Sequence, residues 1–220
     1  MPARRPSAAA RRLAIRAQTD LLARPEVIEE IHTSIKKPPA TTGRPAVVLM
    51  MGFPGVGKSH CARLLAARVG AAHVASDHLR SRLFVAASYA ERENAAVFRV
   101  IDGLVERLLV EGHRVIVDAT HLRKDTRRTV TAIAARHEVP LAHVLVVADE
   151  AETLARLARR AQARDENDLS EADERVYHAM RRRGFEEPDE PYLTLRNGPV
   201  LAEEIERLAM ALGARWAAES

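Results

Sequence analysis

Between residues 46 and 59 the chain reads AVVLMMGFPGVGKS, an apolar run followed by Gly52, four intervening residues, then Gly57, Lys58 and Ser59. These types at this spacing satisfy G-x-x-x-x-G-K-[ST], and the chemistry they suit is the grip of a nucleoside triphosphate. Glycines let the backbone curl so that successive N–H groups point at phosphate oxygens, while a helix that follows adds its positive N-terminal end. Lys58 would neutralise the β- and γ-phosphates, and the Ser59 hydroxyl would ligate Mg2+. The residues assigned to the nucleotide are Gly52, Gly55, Val56, Gly57, Lys58, Ser59 and His60, the last with its side chain facing away from the phosphates. With only ten glycines in 220 residues, a chance match is on the order of one in a thousand before the flanking strand and helix are required. Arg outnumbers Lys 30 to 4, yet this position is Lys, the compact ammonium that such a loop uses.

Two carboxylates and a run of arginines could complete a phosphoryl-transfer site. Asp77, in HVASDHLRSRLF, falls at the end of an apolar run, where a carboxylate can orient an acceptor hydroxyl and take its proton. Arg80, three residues on, shares its helical face and could hold acceptor or phosphate. The plainer role for Asp77 is an N-cap for the helix beginning at 78. Asp118 ends the apolar run RVIVD and could hold Mg2+ directly or through water, or contact the acceptor; an Asp there is also a routine turn residue. Arg156, Arg160 and Arg164 form one helical stripe before the acidic DENDLSEADE. That stripe is either a solvated face or an arginine-bearing lid that excludes water and stabilises phosphate charge, with Arg160 and Arg164 the lid candidates.

These residues need a scaffold, and the hydrophobic pattern supplies one. Strands are expected at 46–51, 72–76, 114–118, 141–148 and near 192–196. Helices are expected at 58–69, about 78–87, 89–111, 124–137, 150–164, 169–182 and 200–213. Such alternation predicts a three-layer α/β/α arrangement with a parallel sheet of about five strands. The runs VVLMM, VIVD and HVLVVA are almost wholly apolar, as in strands covered on both faces. Ahead of this domain, residues 20–37 predict an amphipathic helix capped by Asp20, and PPATTGRP at 38–45 reads as a linker. The division is therefore an extension over 1–45 and one nucleotide-binding domain over 46–220, with a lid over about 156–185.

Composition limits the partners. The chain is 47% hydrophobic and 29% charged, with no apolar run of membrane-spanning length. A single Cys61 forbids an internal disulfide and fits a reducing compartment, so the cytoplasm is the expected location. Cys61 reads as a small buried hydrophobe, Met50 and Met51 as core, and His73, His113, His137 and His143 as strand-flanking or surface residues. The net charge of +4 and pI near 9.6 invite nucleic acid. Residues 1–45 nonetheless hold nine bases and four acids, whereas 46–220 hold 25 bases and 26 acids, so the basicity belongs to the extension. With 4% aromatic residues there is little material for stacking bases.

GFPGVGKS, SDHLR, VIVDATHL with a downstream RR, an Arg-rich stretch and FEEP, in that order over about residues 46–196, resemble the small AAA-type P-loop kinases related to polynucleotide kinase and the zeta toxins. The resemblance implies a nucleotide-kinase-like P-loop NTPase fold, ATP and Mg2+ as cofactors, Asp77 as general base, Arg80 near the scissile phosphate, and a lid arginine among Arg156, Arg160 and Arg164. It also marks a departure, since the usual D-x-T-N is here Asp118, Ala119, Thr120, His121. The expected activity is transfer of the γ-phosphoryl of ATP to a hydroxyl of a small molecule or a nucleic acid 5′ end. The rivals are a P-loop ATPase or GTPase switch with no acceptor, and a nucleic-acid repair or binding module using the basic arm. A guanine-reading N-K-x-D is not evident in the sequence.

Overall fold

The computed structural model describes residues 15, 19–39, 43–84, 90–163 and 174–218, with backbone alone over 161–163. Five strands, β1 (Val47–Met51), β2 (Ala71–Ala75), β3 (Arg114–Asp118), β4 (Leu141–Val147) and β5 (Tyr192–Arg196), form one sheet in the order β2-β3-β1-β4-β5. Every pairing is parallel. The helices are α1 (Pro25–Ser34), α2 (Lys58–Val69), α3 (Ser76–Leu83), α4 (Glu91–Val110), α5 (Lys124–Arg136), α6 (Glu150–Ala163), α7 (Glu174–Arg183) and α8 (Leu201–Ala218).

The pleat of β1 explains its apolar run. Val48 and Met50 face one core with Cys61 and Leu65 of α2 and Leu208, Leu212 and Trp216 of α8. Val47, Leu49 and Met51 face the other with Val100, Ile101 and Leu104 of α4 and Ile133 of α5. All five β1 residues are buried, since parallel sheets survive only with both faces covered. The chain crosses from β1 to β2, returns through β3, and passes to the opposite side of β1 for β4 and β5. The order therefore reverses at β1, and the crevice at the strands' carboxyl ends is where open sheets of this kind bind ligands.

Several expectations are revised. The helix over 20–37 is interrupted: Arg24 is extended because it precedes Pro25, so α1 starts there with the proline in its first turn, and Asp20 lies in a separate helical turn rather than capping it. Strand β2 ends at Ala75, so Asp77 stands in the first turn of α3, whose N-cap is Ala75 without a side-chain bond. The N-cap role is thereby excluded for Asp77. Helix α8 runs five residues beyond 213 because Trp216 finds a core position, its ring stacked under the Arg114 guanidinium. His113 and His143 are buried rather than superficial.

Candidate active site

The loop between β1 and α2 has the shape its sequence requires. Gly55 and Gly57 adopt left-handed φ values of 82° and 83°, a region that costs glycine nothing and other residues strain. A Cβ at Gly57 would also collide with the Asn197 amide. Helix α2 opens on Gly57 and Lys58 with no side-chain cap, so its first N–H groups are not claimed by a capping side chain. Ser59 is half-buried in that first turn and His60 is exposed. The loop is braced on two sides: Gly52 N–H donates to the Thr120 carbonyl at 3.1 Å, and Asn197 Nδ2 donates to the Val56 carbonyl at 2.8 Å. These features fit a nucleotide's phosphates, and the Ser59 hydroxyl and Asp118 carboxylate are oxygen donors of the kind that could hold Mg2+.

Sheet register brings the first carboxylate to the loop. Asp118 pairs with Met50 on one side and Ala75 on the other, directly between the loop and the start of α3. It is 1% exposed, its Oδ1 accepts from Lys58 Nζ at 2.8 Å, and its Oδ2 accepts from His73 Nε2 at 3.1 Å. Burial alone would raise the Asp118 pKa, but Lys58 and His73 hold it far below the usual carboxylate range. Burial likewise works against the Lys58 charge, yet Asp118 and then Asp77 more than offset it and the lysine pKa is raised. Arg160 is near enough to oppose that charge. Lys58 is thus the common electrostatic neighbour of Asp118, Asp77 and Arg160.

Asp77 is half-buried, and no hydrogen bond ties its carboxylate to a described residue. Arg80 is buried, donates to Asn94 Oδ1 at 2.7 Å and pairs with Glu93 at 3.6 Å, so its guanidinium fastens α3 to α4. Arg156 pairs with Glu152 at 2.8 Å and reaches the Val56 carbonyl at 3.5 Å, behind the loop. Arg164 and most of the expected lid's turn fall outside the described residues. Helix α7, which follows, docks on the loop through Phe53, whose ring meets Tyr177 edge-on with Arg181 above it.

Two neighbours of the loop escaped the sequence, and a third stood out there only as a departure from the expected motif. His73 was read as strand-flanking; it shares the Asp118 face of the sheet because Ala75 pairs with Asp118 and strand side chains alternate. Asn197 carried only the Asn-Gly turn signal after β5. His121, where the resemblance led us to expect Asn, is fully buried with φ 44°, donates Nδ1–H to the Thr126 carbonyl at 3.2 Å and meets Phe98 at a tilt with ring centroids 5.5 Å apart. Burial first, then the Lys58 charge, pushes its pKa down to about 3, so it is neutral.

A reversing parallel sheet, a glycine loop on its central strand and a lysine at the following helix define a P-loop NTPase of the nucleotide-kinase type. Residues 47–188 match the AAA domain family AAA_33, and the chain belongs to it. No curated protein sequence matches. Among solved structures, the Mycobacterium tuberculosis APS kinase CysC in complex with AMPPNP and APS is similar at 20% identity, over 78% of this chain and 99% of that one, with a TM-score of 0.58. Kti12 of Chaetomium thermophilum in complex with ADP-AlF3 gives 19%, 76% and 97%, and 0.63. A gluconokinase from Sinorhizobium meliloti gives 16%, 79% and 98%, and 0.54. At these identities the likeness is one of fold. No described helix is long and apolar enough to cross a membrane.

Proposed function

We propose that this protein is an ATP-dependent kinase that moves the γ-phosphoryl group to a hydroxyl of a small molecule or a nucleic acid 5′ end. The observation that carries the reading is the Asp77 carboxylate, unclaimed by any described hydrogen bond yet within electrostatic reach of the loop lysine. A second carboxylate there is placed to take the proton of an acceptor hydroxyl. An APS kinase and a gluconokinase share the fold, which favours an acceptor that is a small molecule. Asp77 and Arg80 resemble the D-x-x-R pair of the polynucleotide kinases.

In this mechanism the loop N–H groups and Lys58 bind the β- and γ-phosphates, the lysine leaving Asp118 Oδ1 to do so. Asp77 accepts the proton of the acceptor hydroxyl as the new oxygen–phosphorus bond forms and the bond to the leaving ADP oxygen breaks. Arg160, with Arg164 as its companion candidate, adds positive charge over the transferring group. Arg80 acts through packing, holding α3 against α4 so that Asp77 keeps its place. Ser59 and Asp118 would hold Mg2+, whose chemistry there would be further neutralisation of phosphate charge.

The test is incubation with labelled ATP and Mg2+ against sugars, nucleosides, antibiotics and 5′-hydroxyl oligonucleotides. Transfer of label to one class of hydroxyl is expected. ATP hydrolysis with no labelled acceptor in any class would instead support the switch reading.

A further inference from the structure

We propose that His73 is a positioning residue that orients Asp118 for the metal, an inference that rests on the kinase reading above. Asp118 is almost wholly buried and spends both oxygens on two donors, Oδ1 on Lys58 at 2.8 Å and Oδ2 on His73 at 3.1 Å. A carboxylate bonded to the Lys58 ammonium is an acceptor, so His73 donates from Nε2. The two donors are not equivalent. Lys58 sits on a helix terminus at the end of a flexible stem and is the cation a phosphate would attract. His73 sits in the middle of β2, paired with Ile116 of β3, and its ring has no such alternative errand.

When Lys58 turns to the phosphates, Asp118 is left as a buried anion whose remaining donor is His73. That single bond has two consequences. It keeps an almost wholly buried carboxylate hydrogen-bonded, and it ties down Oδ2, so Oδ1 is the oxygen left for the cation beside Ser59. Ligating carboxylates depend on such outer partners, whose loss commonly costs about 10- to 100-fold in metal affinity. Register creates the arrangement: Ala75 opposes Asp118, so His73, two residues back, lies on the same face and reaches diagonally.

The experiment measures ATP affinity by calorimetric titration in excess EDTA and again in Mg2+, for the full chain and for His73→Ala, His73→Asn and His73→Gln, with melting curves for each. The wild type should bind more tightly in Mg2+. His73→Ala, and His73→Asn whose amide is too short to reach Oδ2, should lose about tenfold of that Mg2+-dependent gain while keeping their affinity in EDTA. His73→Gln, which can still donate, should recover most of the gain. An undiminished gain in His73→Asn, or an equal loss with and without Mg2+, overturns the role of His73. Absence of any nucleotide binding by the wild type overturns the kinase reading itself, and the proposal with it.

Discussion

Asp77 and Asp102 show how one residue type takes opposite roles. Asp77 borders the loop lysine, and Asp77→Ala should reduce phosphoryl transfer by at least about 10²-fold, the scale of a lost general base, with ATP affinity little changed. Near-normal turnover in single-turnover kinetics would remove it from the mechanism. Asp102 lies on α4, away from that loop, where burial first and then Glu106 push its pKa up to about 7, against the pull of Arg99. An acid whose folded pKa exceeds its unfolded value favours the fold while protonated, so stability should decline as pH rises from about 4 to 7. Asp102→Asn removes that decline. With most of that shift discounted for solvent screening, it should raise Tm by about 2–4 °C at pH 8, equivalent to roughly 1 kcal/mol, and leave it unchanged at pH 4. Equal shifts at both pH values would place the effect in packing.

At the scale of elements, α1 is part of the packed domain. Ile31 is 3% exposed in the core that α4 and α5 share, and Ile28 lies over Gly103, where a Cβ would meet its Cδ1 at 2.6 Å. His32 and Lys37 gather on Glu111 at the end of α4. Ile31→Ala should therefore cost about 2–3 kcal/mol in urea unfolding, a core value rather than the near-zero cost of a surface appendage. The helix itself was legible, but its start was misjudged because Pro25 forces Arg24 out of the helical region. The Asp77 position failed similarly: a strand-to-helix junction one residue earlier than the apolar pattern suggested turned a strand-end residue into a first-turn residue.

Across the whole molecule, charge and fold are separable. Residues 1–14 carry Arg4, Arg5, Arg11 and Arg12 and no acid, so deleting them should lower the salt slope of any non-specific DNA binding by up to about 3–4, with kinase activity retained. Filter binding across a salt series reads this directly; a longer cut to residue 45 would remove Ile31 and confound charge with stability. Sequence alone determined that this chain has a phosphate-gripping loop in a doubly covered parallel sheet, because a contiguous motif and continuous apolar runs are local facts. It also delivered Asp118, whose position at a strand end is local too. Tertiary structure alone decided that Asp118 is shared by Lys58 and His73, 60 and 45 residues away, and that Asn197 holds a carbonyl 141 residues distant. It also sent Arg80 to Glu93 and Asn94, a pairing that depends on how α4 crosses α3. Strand order and register set those meetings, and both come from the packing of the whole sheet rather than from any one segment.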